Sequence, residues 1–304
     1  MCSSPEFDCV IDESDRNLEL DRCRSCGFVY LASWERSLEN ADSLYDYYAE
    51  LTDEDLVRRH SPENRLRQQQ LLRKLGSQTR GRKLLDVGCG DGQLLRTAEG
   101  EDWNASGIDL SSGAIALCQR QGLPASKTDF FDAALDAKRF DVVVMSELLE
   151  HVPSPQRFLQ RAESLLEERG VLYLTTPNFG SLARRMLGGK WSIIHPEHIG
   201  YFERDSLRNM LRRHTGLQEI EIEANNIAPS TFIAWLRSRR AQSPAAPLAE
   251  VHQESRTGPD QELRRIIHGN RVLAASKPLV NRMVSRAGLG ETLVAWLRKP
   301  SERG

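Results

Sequence analysis

Long apolar runs are absent from this chain of 304 residues. No stretch approaches the roughly 20 apolar residues that a membrane-spanning helix requires. The first residues, from Met1 to Glu6, lack the basic start and apolar core of a secretory signal. The net charge of −2 gives the chain no overall basic character with which to bind nucleic acid. We therefore expect a globular, cytoplasmic protein whose partners do not include nucleic acid.

Cysteine is also scarce, with six residues in the whole chain. Two of them, Cys89 and Cys118, fall inside the segment predicted below to bind a cofactor, so we expect reduced thiols rather than a disulfide framework. The hydrophobic content of 39% is enough for the core of one catalytic domain of ordinary size with accessory pieces.

Glycine is concentrated at one informative place, directly after the apolar strand predicted at 84–87. Gly88, Gly90 and Gly92 occupy alternate positions, where a backbone without side chains can approach a ligand closely. The helix that follows directs unpaired N–H groups at whatever occupies the turn, which predicts a nucleotide-like ligand. The dinucleotide fingerprint requires a further glycine where this chain has Gln93, and this disfavours NAD(P).

Together with Asp86, which ends the strand, this turn resembles motif I of class I methyltransferases that depend on S-adenosylmethionine (SAM). The resemblance implies that the turn holds the methionine part of SAM. Asp109 and Asp129 follow at the intervals where this family contacts ribose and adenine, and a carboxylate at Asp109 can accept both ribose hydroxyl protons. Phe130 is expected to flank the adenine ring. The implied cofactor-binding residues are Asp86, Gly88, Cys89, Gly90, Gly92, Asp109, Leu110, Asp129, Phe130 and Ser146.

Strands and helices alternate along the chain, and the class I resemblance implies an α/β fold with a doubly wound, mostly parallel sheet of seven strands. Apolar runs at 140–146 and 170–178 predict buried strands, and 217–223 alternates apolar and acidic residues. The end of the chain resembles the family's antiparallel closing strand. The predicted domains are a hairpin module over 1–45, a SAM-binding core over 46–226, a helical insertion or lid over 227–287 and a closing strand and tail over 288–304.

Two segments, 181–187 and 231–240, combine apolar residues with arginines. Each is compatible with a weak contact to an anionic membrane surface, or with a buried helix whose arginine ends are solvated, and we favour the second interpretation. Inside the insertion, 241–260 has the composition of a linker or lid, and 262–286 is expected to be largely helical.

The amino-terminal sequence Cys23-x-x-Cys26-Gly27 has the form of a metal knuckle, in which the glycine permits the tight turn that aims two thiolates at one ion. It resembles half of the zinc-ribbon-like module that begins many bacterial methyltransferases acting on sugars and polysaccharide precursors. A structural zinc would need Cys2 and Cys9 as further ligands. Because the first knuckle is incomplete, we favour the alternative, a metal-free remnant of the module.

A second candidate metal set follows the fourth strand of the predicted core. Glu147, Glu150 and His151 have the i, i+3, i+4 spacing that places three side chains on one face of a helical turn. The segment resembles the ExxEH sequence of ubiquinone-biosynthesis O-methyltransferases, which implies a divalent cation. The favoured alternative is a role in helix capping and in contacts beneath the cofactor.

Two imidazoles and a phenol are concentrated at 190–202, just beyond the fifth strand, where acceptor pockets form in this fold. The segment resembles the "EH…YF" block of sugar methyltransferases. His198 is the candidate general base, His195 is expected to orient it or the acceptor, and Tyr201 to line the pocket or bond the acceptor. The alternative is that His198 caps the helix that begins near Ser206.

These patterns favour an enzyme that moves a methyl group from SAM to a small molecule or saccharide precursor, at a hydroxyl oxygen and by in-line displacement. The alternatives are a metal-dependent quinone-type O-methyltransferase, a SAM-binding protein without catalysis, and an NAD(P) oxidoreductase. The sequence does not identify the acceptor or the oligomeric state.

Overall fold

The computed structural model describes residues 6–13, 18–35, 48, 51, 56, 59–225 and 285–301. Cys2, the basic segment at 231–240, the predicted linker at 241–260 and nearly all of the predicted helical segment at 262–286 lie outside these residues. Among the residues that are described, no helix combines the length and the apolar character that crossing a membrane would need.

The strands are β1 (Phe7–Glu13), β2 (Leu18–Cys23), β3 (Val29–Leu31), β4 (Lys83–Val87), β5 (Asn104–Asp109), β6 (Ala125–Lys127), β7 (Phe140–Ser146), β8 (Leu166–Pro177), β9 (Gly200–Tyr201), β10 (Gln218–Asn225) and β11 (Thr292–Arg298). The α-helices are α1 (Pro62–Gln78), α2 (Gln93–Glu99), α3 (Ser112–Arg120), α4 (Pro155–Leu165), α5 (Leu182–Leu187) and α6 (Arg204–His214). Short 3₁₀ turns lie at Ala133–Leu135, Leu149–His151 and Gly188–Lys190.

Seven strands form the central sheet in the order β10-β11-β8-β7-β4-β5-β6. The strands from β8 to β6 are parallel, and β11 runs antiparallel between β8 and β10. This arrangement confirms the predicted doubly wound sheet and its antiparallel closing strand. Parallel strands with their carboxyl ends at one edge place the loops after β4, β5 and β7 side by side, which is where ligands bind in such sheets.

Helices cover both faces of this sheet, as the alternation of side chains along β7 requires. Val143 and Met145 pack with Leu159 of α4 in one apolar cluster, whereas Val142 and Val144 join α1 in a cluster on the opposite face. All five side chains are fully buried. The continuous apolar run of β7 is therefore explained by burial on both sides.

A second, antiparallel sheet has the order β1-β2-β3-β9. Its last pair joins Val29 and Tyr30 of β3 to Tyr201 and Gly200 of β9. Residues on both sides of the predicted boundary at 45 thus share one sheet. Its apolar core is made of side chains from the amino-terminal strands and from the segment between β8 and β9, and includes Leu18, Leu20, Val29, Leu31, Phe179, Trp191, Ile194 and Tyr201.

The short helix α5 lies against this second core. Ala183 is buried, and the Arg184 guanidinium lies 4.0 Å from the centre of the Phe179 ring, while Leu182 is 40% exposed. The helix is packed on one side, but Arg184 stacks on an aromatic ring rather than being solvated as we expected, and the membrane contact stays a prediction.

The end of β8 is fixed to the start of β11 by one buried amide. Asn178 Nδ2 donates to the carbonyls of Gly288 (3.0 Å) and Gly290 (2.6 Å), and Asn178 Oδ1 accepts from the Gly180 N–H (3.0 Å). The side chain is 1% exposed. Buried carbonyls that lose their donors destabilise a fold, so this side chain is expected to matter for joining the closing strand to the sheet.

Asn178→Ala should lower the free energy of unfolding by about 2–4 kcal/mol, because buried hydrogen-bonding groups are left without partners. Urea denaturation followed by circular dichroism measures the change. Gln218→Ala, at an exposed position of β10, is the control and should have little effect. Equal stabilities of the two variants would contradict this role of Asn178.

Candidate active site

The glycine turn between β4 and α2 has the backbone geometry that only glycine adopts readily. Gly88, Gly90 and Gly92 have φ values of 74°, 52° and 75°, and Gly92 is the left-handed N-cap of α2. The N–H groups of Gly88 and Cys89 both donate to the Ile108 carbonyl of β5. The turn is therefore held against the neighbouring strand. It keeps the N-terminus of α2 at the carboxyl edge of the sheet.

Residues that precede α1 in the chain lie over this turn. A Cβ atom built on Gly90 would lie 2.5 Å from the Tyr48 hydroxyl, so a side chain there would displace Tyr48. Asp91, which is 3% exposed, accepts a hydrogen bond from Arg59 and lies 3.7 Å from His60 Nε2. Although burial opposes it, bonding with His60 and Arg59 lowers the pKa of Asp91. Our sequence interpretation missed this Arg59–His60–Asp91 contact, since its members are distant in sequence.

Asp86 ends β4 as predicted and is buried, with 5% of its surface exposed. Burial, followed by the charges of Asp109 and Asp91, raises its pKa to about 7. Asp109 ends β5, and its two oxygens accept from the N–H groups of Gly90 (3.0 Å) and Ser111 (2.8 Å). Each carboxylate oxygen has a second lone pair, so Asp109 keeps the capacity to accept hydroxyl protons.

The third acid, Asp129, is exposed, and its Oδ1 accepts from the Phe131 N–H (2.8 Å). The expectation that the Phe130 ring flanks an adenine is wrong, because this ring is 4% exposed and packs in the main core. The neighbouring Phe131 is 38% exposed and has the available aromatic face. In an irregular loop, strand alternation does not identify which of two adjacent aromatic residues points inward. Leu110 and Ser146 are exposed at the same edge.

Two buried thiols, one in the glycine turn and one on α3, lie beside the backbone of the turn. Cys89 and Cys118 are buried free cysteines, and Cys118 Sγ lies 3.3 Å from the Gly90 carbonyl. A hydrogen bond with Cys118, together with burial, raises the pKa of Cys89. The five described cysteines are all free thiols, as predicted.

The imidazoles of His151, His195 and His198 lie together at the carboxyl edge of the sheet. The His198 ring centre lies 3.8 Å from that of His195 and 4.7 Å from that of His151. Nδ1 of His198 is 2.8 Å from the Ile193 carbonyl, and Nδ1 of His151 is 2.9 Å from the Glu197 carbonyl. A carbonyl only accepts, so both Nδ1 atoms carry the proton and both Nε2 atoms keep a lone pair.

The alternative that His198 caps α6 is wrong. The N-cap of α6 is Glu203, which forms a reciprocal capping box with Ser206, and the Glu203 N–H donates to Ser206 Oγ (2.9 Å). The Arg22 guanidinium of β2 also binds the Glu203 carboxylate through both oxygens (2.7 and 3.2 Å). The start of α6 is therefore capped without His198.

Glu150 lies in the same cluster. Its carboxylate, His151 and His198 each present one ligand atom within 4.8 Å of the others. Thr176 Oγ1 donates to Glu150 Oε2 (2.9 Å), whereas Oε1 is buried and accepts no hydrogen bond from the described residues. Burial and then the charge of Glu147 raise the pKa of Glu150 well above its usual range, and burial lowers the pKa of His151.

The predicted set Glu147, Glu150 and His151 is thus only partly brought together. Glu147 has a φ of 50°, so it cannot begin the helical turn that the i, i+3, i+4 spacing assumed. Its carboxyl contacts Glu150, but His198 takes its place in the three-residue group. A residue 47 positions further along the chain could not be included by local spacing.

Tyr201 does not line an acceptor pocket, and this prediction is wrong. It is 1% exposed, and its hydroxyl lies 3.5 Å from the His195 carbonyl, to which it donates. Burial raises its pKa. Trp191, also expected in the wall of a pocket, is 2% exposed in the same core. Both side chains pack the segment that carries His198 rather than facing an acceptor.

The amino-terminal cysteines form the predicted tight turn, with Gly27 at a φ of 73° and its N–H donating to the Cys23 carbonyl. Cys23 is buried and Cys26 half-buried. Cys9 is exposed, and its sulfur lies within 4.8 Å of a carboxylate oxygen of Glu19 and of Asp21. The four-cysteine zinc site remains a prediction, since Cys2 lies outside the described residues.

Comparison with known proteins identifies the family to which this chain belongs. A model described as a methyltransferase domain matches residues 57–222, more than half of the chain. The chain belongs to this family. It is a class I methyltransferase with SAM as its cofactor, as predicted from the glycine turn, and the NAD(P) oxidoreductase alternative is wrong.

Among curated proteins, the chain is similar to ubiquinone biosynthesis O-methyltransferases. It is 34% identical over 109 residues to that of Actinobacillus pleuropneumoniae, covering 32% of this chain and 47% of the relative. It is 33% identical over 105 residues to that of Coxiella burnetii, covering 33% and 45%. The match spans less than half the length of these relatives.

Solved structures show the same fold. A SAM-dependent methyltransferase from Archaeoglobus fulgidus matches with a TM-score of 0.50 and 18% identity, covering 77% of this chain and 93% of that one. The plantazolicin methyltransferase BpumL, solved in complex with SAH, matches with a TM-score of 0.51 and 16% identity, covering 88% and 99%.

Asp86→Asn should raise the melting temperature more at pH 8 than at pH 5. The unfolded chain releases the Asp86 proton near the ordinary pKa of 3.8, whereas the folded protein holds it up to about 7. Between these values the folded state binds more protons, so the stability that Asp86 contributes falls as the pH rises. Calorimetric melts across this range, with exposed Glu167→Gln as the control, measure the effect. A constant difference between wild type and Asp86→Asn would contradict the raised pKa.

Proposed function

We propose that this methyltransferase acts on a hydroxyl oxygen of a small molecule or saccharide precursor, with His198 as the general base. The observation that carries the proposal is the bond from His198 Nδ1 to the Ile193 carbonyl, which leaves Nε2 as a proton acceptor. His198 is 8% exposed and lies at the edge of the sheet where the cofactor turn also ends.

The residues of the turn fit SAM in character. Three glycines with positive φ keep the turn itself free of side chains, although Tyr48 lies over Gly90, and two buried acids, Asp86 and Asp91, adjoin it. When bound, SAM supplies an electrophilic methyl group on a positively charged sulfonium. Asp86 would face the positive end of the cofactor, Asp109 would accept from the ribose, and Asp129 from the adenine amino group.

The proton of the acceptor hydroxyl would pass to His198 Nε2 as the oxygen attacks. The imidazolium that forms would be stabilised by Glu150, whose carboxyl is within 4.8 Å. Burial raises the pKa of Glu150, and a positive imidazolium beside it would lower that pKa again. Tyr201 and Trp191, packed beneath this segment, would hold His198 in place.

The names of the relatives support oxygen as the acceptor atom, since the matched curated proteins are O-methyltransferases. They support no particular acceptor, because the match covers less than half of their length.

His198→Ala should lower turnover by about 10²- to 10⁴-fold, the usual contribution of a general base, and leave SAM affinity unchanged. In the assay, each protein is incubated with a cell extract and isotope-labelled SAM, and the labelled product is measured by mass spectrometry. Calorimetry measures SAM binding. His214→Ala, at the exposed end of α6, is the matched control. An undiminished rate in His198→Ala would remove this residue as the base. SAM binding without any labelled product would favour a non-catalytic SAM-binding protein.

A second candidate function is O-methylation with a divalent cation held by Glu150, His151 and His198. Glu150 Oε1 lacks a hydrogen bond among the described residues, and the two imidazoles keep their Nε2 lone pairs, which is a two-histidine, one-carboxylate donor set. When bound, such an ion would lower the pKa of an acceptor hydroxyl. His198 would then be a ligand rather than a base.

Turnover should survive dialysis against EDTA if His198 is the base. Loss of turnover that Mg²⁺ or Mn²⁺ restores, and that Glu150→Gln reproduces, would establish the metal-dependent alternative instead. Glu147→Gln is the informative companion variant, because Glu147 belongs to the ExxEH sequence but not to the three-residue group.

A further inference from the structure

Away from the active site, the hairpin of β1 and β2 brings a thiol and two carboxylates together. Cys9 lies directly opposite Asp21 across the strand pair, and Glu19 is two residues from Asp21 on the same face of β2. One ligand atom from each residue lies within 4.8 Å of the other two. The register shifts between Cys9 and Ile11, so a bulge occurs directly beside the thiol.

Asp21 is the unusual member of this group. It is 5% exposed, and its Oδ1 is buried without a hydrogen bond from any part of the chain that the structure describes. Burying a carboxylate with no donor or cation is strongly unfavourable. Burial and the charge of Glu19 raise its pKa, which is the opposite of what a neighbouring cation would do.

The charged groups that act on this hairpin face are negative. Those that raise the pKa of Cys9 are Glu19, Asp21 and Asp12. The nearest arginines along β2 and its turn are engaged elsewhere, since Arg22 binds Glu203 and Arg24 binds Asp8. Within the described ranges, the group therefore has donor atoms and negative charge but no compensating cation.

We infer that Cys9, Glu19 and Asp21 form a binding site for a zinc ion on the β1–β2 hairpin. A thiolate with carboxylate oxygens is a donor set that Zn²⁺ accepts, whereas Mg²⁺ and Ca²⁺ prefer oxygen alone. The fourth position would be taken by water. Binding converts the Cys9 thiol, which now donates to the Ile11 carbonyl (3.5 Å), into a zinc thiolate and releases one proton to solvent.

The geometry allows this with small movements. Bonds of about 2.0–2.3 Å in a tetrahedral site place ligand atoms roughly 3.3–3.8 Å apart. The group spans at most 4.8 Å, and the side chains of Cys9 and Glu19 are exposed and can rotate inward around the buried Asp21. The site uses one of the four cysteines considered for a zinc ribbon, and leaves Cys23 and Cys26 outside it.

Cobalt titration tests the donor set in the reduced full-length chain. Co²⁺ bound to a thiolate gives a near-ultraviolet charge-transfer band, which reports sulfur coordination directly. Wild type should show this band, and Cys9→Ser and Asp21→Asn should lose it or need at least tenfold more Co²⁺. Cys26→Ser should behave as wild type. A band that persists in Cys9→Ser, disappears in Cys26→Ser, or is absent from wild type would overturn the assignment.

Thermal melts separate metal binding from a purely structural role of Asp21. In EDTA, Asp21→Asn should melt at the same temperature as wild type or higher, because it removes a buried carboxylate that lacks a partner. With Zn²⁺ added, wild type should gain melting temperature and Asp21→Asn should not. If Asp21→Asn melts lower than wild type in EDTA, or if Zn²⁺ stabilises both proteins equally, the inference is wrong.

Discussion

The pairing of β3 with β9 is the contact on which the acceptor side of the molecule depends. It pairs Val29 and Tyr30 with Tyr201 and Gly200, and the Leu31 N–H donates to the Ile199 carbonyl (3.0 Å), so it joins the amino-terminal sheet to the segment that carries His198. The Arg22–Glu203 ion pair reinforces the junction at the start of α6. A general base must be held within a few tenths of an ångström of its working position. Under the proposed mechanism, the amino-terminal strands would supply that restraint for His198, and the hairpin module would contribute to catalysis by positioning it.

The cofactor side has a different physical origin. Parallel strands end together, and their loops converge whether or not the loop residues attract one another. Asp86, Asp91 and Asp109 are brought close in this way, and burial, followed by the charges of Asp109 and Asp91, raises the pKa of Asp86. Negative charge held in a poorly solvated place favours a ligand with positive charge. Asp91 is already compensated by Arg59, so Asp86 and Asp109 are the acids at this edge that a cationic ligand would meet.

The sheet and the cofactor turn could be predicted because both depend on local patterns: apolar runs, glycines at alternate positions and acids at strand ends. The acceptor side could not be predicted to the same depth. His198 meets His151 and Glu150 across 47 residues or more, and the capping of α6 by Glu203 and Ser206 depends on where the helix actually begins. Phe130 is buried and Phe131 is exposed because loop geometry, not periodicity, decides which ring is buried. In each case a contact distant in sequence, or an irregular backbone, overrode a local rule.

The position of β11 has a consequence for how the protein is made. Residues 292–298 lie between β8 and β10, with hydrogen bonds to both, so β10 has no neighbour in the sheet until this strand arrives. During synthesis, the ribosome must release nearly the entire described chain before the sheet can close, and β8 exposes a pairing edge until then. Until β11 is in place, the unpaired edge of β8 is a site at which the sheet could associate with another strand.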